Sequence, residues 1–187
     1  MAHMGFASRG GLLVVAAESR PLPQAEWEAL CRECGRLYGR RGTANRYISV
    51  LMMWDGGGPD VMQRAQLLHA VGHQPFRSAI VTPSVEVLAA VEALRIFNQE
   101  MRCFALGEVS EALVHVGVGM RRFRELAALL QRLTSDVPKA VSAMEVLSHV
   151  ETRLARGSSP SMDSGIVGTQ PVRLTRKSLL PSWLRGA

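Results

Sequence analysis

Residues Phe76–Leu106 have the sequence FRSAIVTPSVEVLAAVEALRIFNQEMRCFAL, and the rest of the chain can be organised around them. The short apolar run Ala79–Val81 stops at Thr82-Pro83, a helix-forming run follows, and a second apolar run covers Met101–Leu106. Strand, helix and strand within about thirty residues is the size of one parallel crossover unit. The stretch therefore predicts two neighbouring parallel strands joined by a helix.

Similar units precede and follow this stretch. Leu12–Ala17 predicts a buried strand and Gln24–Tyr38 an amphipathic helix, and the apolar run Arg46–Trp54 predicts a central strand. Val61–Val71 predicts a second helix, with Val61, Ala65, Leu68 and Val71 on its apolar stripe, and Ser110–Val116 a short final one. Because four strands alternate with helices, the expected fold class is α/β, with a mainly parallel four-stranded sheet and helices on both faces. Met1–Met4 is left out of this predicted fold.

Two further helices are expected after this α/β unit. Residues 120–134 and 139–156 each carry one apolar stripe, and Pro138 between them favours an antiparallel hairpin. The expected stripes are Phe123, Leu126, Ala127, Leu130 and Leu133 in the first helix, and Val141, Met144, Leu147, Val150 and Leu154 in the second. Such stripes must be buried against the sheet, each other or a partner. After Gly157 the run SSPSMDSGIVGTQP is typical of disorder. The predicted organisation is residues 10–119 as the α/β domain, 120–156 as a two-helix extension and 157–187 as a disordered basic tail.

Charge and hydropathy limit the function classes. The net charge is +6, but six basic residues and one acidic residue lie from Arg153 onward, so the remainder of the chain is nearly neutral. A nucleic-acid footprint usually needs a basic face on the fold itself, and nucleic acid is therefore a disfavoured partner. No apolar run has the roughly 20 residues that a membrane-spanning helix needs, and the N-terminus lacks a signal-peptide pattern. A cytoplasmic protein is expected.

The three cysteines do not predict a disulfide framework or a metal site. Cys31 and Cys34 form a C-x-x-C pair, yet both fall on the apolar stripe of the first predicted helix. A zinc site would need two more ligands, and no second C-x-x-C or histidine pair accompanies them. Buried structural thiols are predicted. The histidines and paired carboxylates likewise show no catalytic spacing, so we expect neither catalytic residues nor a cofactor.

One loop is a candidate ligand site. Asp55-Gly56-Gly57-Gly58 follows a predicted strand and precedes a helix, where open α/β sheets bind ligands, and Thr82 and Ser84 occupy the matching position one unit later. The loop is neither a dinucleotide-binding nor a Walker motif. A flexible connection, with Thr82 or Ser84 capping a helix, is the alternative explanation.

The tail carries a candidate partner-binding segment. It contains apolar anchors and neighbouring basic residues: Arg176, Lys177, Leu179, Leu180, Trp183 and Leu184. Such a segment suits docking to another protein, folding back on its own domain, or a weak contact with an anionic membrane surface.

The order of elements resembles the STAS domain family, the fold of bacterial anti-sigma-factor antagonists, and its SEC14-type relatives. The resemblance covers residues 10–119 and depends on Tyr47–Leu51, Ala79–Thr82 and the strand Met101–Phe104 followed by Glu108–Leu113. In phosphorylatable members a serine-containing loop follows the strand that Tyr47–Trp54 would form. The matching loop here, Asp55–Gly58, has no hydroxyl, so the phosphoserine switch does not carry over.

Together these patterns predict a non-enzymatic regulatory or scaffolding module that binds another protein through its C-terminal helices and tail. A homo-oligomer formed through residues 120–156 would use the same stripes. The alternative is a small-molecule-binding or hydrolase-like α/β protein that uses the strand-end loops near Asp55 and Thr82.

Overall fold

The computed structural model describes residues 2–39, 48–72, 76–95 and 98–157. Its sheet has five strands in the order of the chain, and only the first is antiparallel to its neighbour. The strands are β1 Met4–Arg9, β2 Leu12–Ala17, β3 Ser49–Trp54, β4 Arg77–Val81 and β5 Met101–Phe104. The helices are α1 Gln24–Gly39, α2 Val61–Ala70, α3 Val85–Leu94, α4 Val109–His115, α5 Phe123–Asp136 and α6 Val141–Gly157, with short 3-10 turns at Leu106–Glu108 and Met120–Arg122.

The α/β class is confirmed. The expected number of strands is wrong: the four predicted strands correspond to β2–β5, and β1 was not predicted. β1 forms a hairpin with β2 through Gly10 and Gly11, whose φ angles of 56° and 87° suit the two central positions of a tight hairpin turn. Its sequence MGFASR has few apolar residues and is only half-buried, as an edge strand allows. Met4, which the predicted fold leaves out, also belongs to the fold, since its side chain is buried in the core.

Two separate cores cover the two faces of the sheet. In β2 all six residues are buried, and they alternate between the cores: Leu12, Val14 and Ala16 face one, and Leu13, Val15 and Ala17 the other. The second core holds residues of α1, α2 and α3. Right-handed crossovers between strands that follow one another in chain order place these three helices on one face. The first core holds residues of α4, α5 and α6.

The buried faces of two helices differ from the predicted ones. In α2 half of the expected stripe is wrong: Val61 is 70% exposed and Ala65 is also exposed, whereas Leu68 is half-buried and Val71 is buried. Gln63 and Leu67 also face the protein. In α6 the expected Val141 and Met144 are exposed, and Ala143, Val146 and Val150 are fully buried. Small alanines let α6 lie close to the sheet, and hydropathy alone gives them little weight. The predicted stripe of α5 is confirmed in full.

The two C-terminal helices belong to the core of the α/β domain. Phe123, Leu126 and Leu130 of α5 and Val146 and Val150 of α6 join the cluster that covers the first face. Gln131 of α5 also donates a hydrogen bond to Glu151 of α6 at 3.0 Å. Residues 120–156 therefore complete the fold: the α5 stripe and the face of α6 that carries Ala143, Val146 and Val150 are buried within the chain.

Candidate functional site

A cavity of about 300 Å³ lies on the α1–α3 face, and it separates α2 from α3. Its floor is formed by β3, β4 and β5, and the loop that follows β3 lines one end. The lining includes Trp27, Trp54, Gly57, Gly58, Arg64, Phe76, Glu86, Val87, Val91 and Asn98. We call this space the α2–α3 cavity.

Two tryptophans form one wall of the cavity, and both of their N–H groups are already bonded. Trp27 Nε1 donates to the carbonyl of Gln63 at 2.9 Å, and Trp54 Nε1 donates to the carbonyl of Gly56 at 2.7 Å. The two rings meet edge to face with centroids 6.3 Å apart. Since their polar atoms are satisfied, the rings offer a ligand only apolar and aromatic surface.

The buried amide at the far end is also satisfied within the protein. Asn98 Nδ2 donates to the carbonyl of Phe76 at 2.9 Å, and Asn98 Oδ1 accepts from the backbone N–H of Glu100. Val87 and Val91 of α3 complete the apolar lining. The interior of the cavity is therefore suited to an apolar group.

Charged groups occur on the two helices that flank the cavity. Arg64 of α2 is half-buried and donates to the carbonyl of Pro59 at 3.3 Å, so its guanidinium lies beside the loop after β3. Within the described residues it has no carboxylate partner within 4.0 Å. Glu86 of α3 is exposed. The cavity is thus apolar inside, with one cation and one anion on opposite sides.

The loop after β3 is shaped by a close approach to the end of the first β-α unit. A Cβ atom on Gly57 would lie 2.8 Å from the carbonyl oxygen of Ser19, and Gly57 has a φ of 58°. Only glycine combines this conformation with so close a contact. Asp60 then begins α2 through a capping box with Gln63. The glycines predicted as a flexible connection therefore hold a defined loop against Ser19-Arg20.

The six predicted ligand-loop residues have different roles in the structure. Gly57 and Gly58 line the cavity, whereas Asp55, Gly56, Thr82 and Ser84 do not. The Asp55 carboxylate accepts from the backbone N–H groups of Val141 and Ser142, the latter at 2.9 Å, and so caps the N-terminus of α6.

The two hydroxyls of the predicted ligand loop both accept hydrogen bonds from nearby backbone N–H groups. Ser84 Oγ accepts from the backbone N–H of Val87 and caps α3. Thr82 is buried, and its Oγ1 accepts from the backbone N–H of Ser84 at 3.1 Å. The predicted helix cap is therefore confirmed at Ser84, and both hydroxyls are engaged in local structure.

The cysteines are held as neutral thiols. Cys31 and Cys34 are buried on α1, as predicted, and burial raises the pKa of Cys34 to about 12. Burial likewise raises the pKa of Cys103 on β5 to about 11. Thiols with such pKa values are poor nucleophiles at neutral pH. The described part of the chain holds no group of three His, Cys, Asp or Glu side chains arranged to hold a metal ion.

The structure also pairs a serine and a histidine that are 39 residues apart in the chain. Ser110 Oγ lies 3.1 Å from His149 Nε2 and accepts from Arg153 Nη2 at 3.0 Å. These bonds join the start of α4 to α6. No short-range sequence pattern could have indicated the pair, since it depends on how α6 packs.

The sequence did not indicate most of the cavity. The sequence patterns single out neither Trp27, Phe76 nor Arg64 as a candidate site residue. One signal was present: an arginine on the first turn of the helix that follows a glycine loop. The predicted partner segment, Arg176 to Leu184, lies outside the described residues, and within them no helix is long and apolar enough to cross a membrane.

Comparisons with protein-family models, with curated proteins and with solved structures find no significant match to this chain.

Proposed function

We propose that the chain is a non-enzymatic ligand-binding module whose site is the α2–α3 cavity. The observation that carries the proposal is the size and lining of that cavity. About 300 Å³ lies within the range of small-molecule sites, and aromatic and aliphatic side chains dominate the lining.

The chemistry of the lining supports binding of an apolar body. The indole N–H groups of Trp27 and Trp54 are both bonded to the protein, and Asn98 donates one amide N–H to Phe76 and accepts from Glu100. A polar ligand would lose its own hydrogen bonds to water on entering this interior, whereas an apolar ligand would gain by leaving water. The described lining residues with ionisable side chains are Arg64 and Glu86, which lie on separate helices.

A cavity-filling substitution tests the proposal. Val91→Phe puts a larger ring into the cavity, and Val85→Phe makes the same change on the same helix at a position that is 77% exposed. We expect 1-octanol, a neutral apolar probe, to bind the wild-type protein and Val85→Phe alike in a titration followed by tryptophan fluorescence. Val91→Phe should bind at least tenfold more weakly, with an unchanged circular dichroism spectrum. Equal binding by both variants, or no binding by the wild type, would refute the cavity as a ligand site.

A second candidate function is regulatory binding of another protein by a STAS-like module. It is favoured by exposed apolar side chains in the first turns of α2 and α3, namely Val61, Met62 and Val85. Large exposed apolar side chains that cluster often mark interaction surfaces. In this proposal the module is a mainly parallel sheet with a C-terminal helical hairpin, and the segment Leu179–Leu184 adds a docking peptide.

Truncation and point variants test the second candidate. Affinity capture from the native cell is compared for the full chain, a chain ending at Gly157 and a Met62→Ser variant. A partner captured by the full chain and lost in either of the other two supports the proposal. If the full chain, the chain ending at Gly157 and Met62→Ser all capture the same proteins, neither the tail nor the exposed α2 side chains bind the partner.

A further inference from the structure

We propose that the ligand of the α2–α3 cavity is an amphipathic carboxylate, with Arg64 as the residue that selects its charged end. This inference depends on the proposed ligand-binding function and specifies the chemical class of the ligand.

The first observation is that the Arg64 guanidinium has unused donors. It carries five N–H groups, and the structure uses one of them for the carbonyl of Pro59. Other arginines of the fold have carboxylate partners: Arg36 pairs with Glu33, and Arg95 with Glu92 at 2.9 Å. Arg64 has no such partner among the described residues, although it is half-buried beside a cavity. A guanidinium in this setting presents a planar fork that matches a carboxylate.

The second observation is the glycine loop beside the guanidinium. Gly57 and Gly58 both line the cavity, and Pro59, whose carbonyl Arg64 contacts, follows them directly. Within the described residues the backbone N–H groups of Gly57 and Gly58 donate to no acceptor. A Cβ atom on Gly58 would meet nothing within 4 Å, so the space beside this residue is open. These amides and the Arg64 donors together form a corner rich in N–H groups, which favours an anion.

The third observation fixes the shape of the ligand. The N–H-rich corner lies beside the C-terminal end of β3. Phe76 and Met101 lie at the N-terminal ends of β4 and β5, which run parallel to β3, and therefore at the other end of the cavity. Between these ends the lining is apolar. A ligand that satisfies both parts has its carboxylate at Arg64 and an apolar body that extends along the sheet towards Phe76.

Glu86 of α3 is the other charged side chain that lines the cavity. A cationic ligand held by Glu86 is the competing possibility. Glu86 is exposed, and an ion pair with an exposed carboxylate contributes little, whereas the half-buried Arg64 is less screened.

Three probes with one eight-carbon body separate these alternatives: octanoate, 1-octanol and octylammonium. Calorimetric titrations at pH 7 are made with the full-length wild type, Arg64→Gln, Arg64→Lys and Glu86→Gln. We expect Arg64→Gln to weaken octanoate binding at least tenfold and to leave 1-octanol binding within twofold of wild type. The octanoate affinity of Arg64→Lys should lie between those of the wild type and Arg64→Gln, because lysine keeps the positive charge but lacks the planar fork of the guanidinium. Glu86→Gln should not weaken octanoate binding.

The outcomes distinguish this inference from the proposed function. If 1-octanol binding is sensitive to Val91→Phe but octanoate binding does not change in Arg64→Gln, the carboxylate assignment is wrong and the cavity remains a ligand site. Tightest binding of octylammonium, lost in Glu86→Gln, would also overturn the assignment. If Val91→Phe weakens the binding of none of the three probes, both proposals fail.

Discussion

Asp55 stabilises the fold by joining the end of β3 to the start of α6. Its carboxylate accepts from the backbone N–H groups of Val141 and Ser142, which have no partner inside the helix. We expect Asp55→Ala to lower the free energy of unfolding by about 1–2 kcal/mol, because a charged cap at a helix N-terminus is lost. Asp55→Asn should recover part of the loss, since an amide oxygen still accepts a hydrogen bond.

Urea unfolding followed by far-ultraviolet circular dichroism measures this effect. Equal stability of Asp55→Ala and the wild type would mean that α6 does not depend on the cap. Because Asp55 does not line the cavity, 1-octanol binding should be unchanged in both variants.

The two glycines at the mouth of the cavity should respond differently to the same substitution. Gly57→Ala places a Cβ atom 2.8 Å from the Ser19 carbonyl oxygen in a left-handed conformation, whereas Gly58→Ala meets nothing within 4 Å. The left-handed conformation alone costs about 1–2 kcal/mol for a residue with a side chain, and the backbone contact adds to it. We expect Gly57→Ala to be destabilised by more than this and Gly58→Ala to change by less than about 0.5 kcal/mol, as surface substitutions usually do. Similar melting temperatures for the two variants would contradict the described loop conformation.

At the scale of the element, α1 should make stability depend on pH in the alkaline range. Burial raises the pKa of the Cys34 thiol from an ordinary value near 9.0 to about 12 in the folded protein. Above pH 9 the unfolded chain loses this proton while the folded protein keeps it, so the contribution to stability is complete below pH 9 and decreases as pH rises. The difference is about 1 kcal/mol at pH 10.

Comparison with Cys34→Ala isolates this contribution, because the other titrating groups are common to both proteins. The wild type should lose its stability advantage over Cys34→Ala by about 1 kcal/mol between pH 8 and pH 10 in urea unfolding. A constant difference across this range would show that the thiol is not buried as described.

Helix α2 is held to the protein by few buried apolar contacts. Val61 and Met62 are exposed, and the anchoring contacts are Leu67, the Asp60 cap and the bond from Trp27 to Gln63. Elements with few buried apolar contacts open locally at low free energy. We expect the amides of α2 to exchange with deuterium faster than those of β3, and to be slowed by a ligand that fills the cavity. Exchange in α2 as slow as in β3 would contradict this expectation.

At the scale of the whole molecule, an element can be predicted from the sequence when its own residues show a clear hydrophobic pattern. The runs of β2 and β3 are apolar because both faces of each strand are covered, and the α5 stripe is fully regular. β1 was missed because an edge strand needs few apolar residues. The cavity was missed for a different reason: its lining comes from six elements, α1, β3, α2, β4, α3 and β5, and from the loops between them. Periodicity within one helix reports which side is buried, but it does not report a gap between two helices.

The role of α5 and α6 in covering one face of the sheet leads to a prediction about truncation. A chain that ends at Gly119 loses both helices, and Leu12, Val14, Leu51 and Met53 then lose most of their cover. No other described element covers this part of the sheet face, on β2 and β3, because α4 lies over β4 and β5. We expect this truncated chain to lose cooperative thermal unfolding and near-ultraviolet circular dichroism and to bind an apolar dye. A chain that ends at Gly157 keeps both helices and should unfold cooperatively, as the full chain does. Cooperative unfolding of the chain ending at Gly119 would show instead that residues 10–119 form an independent domain.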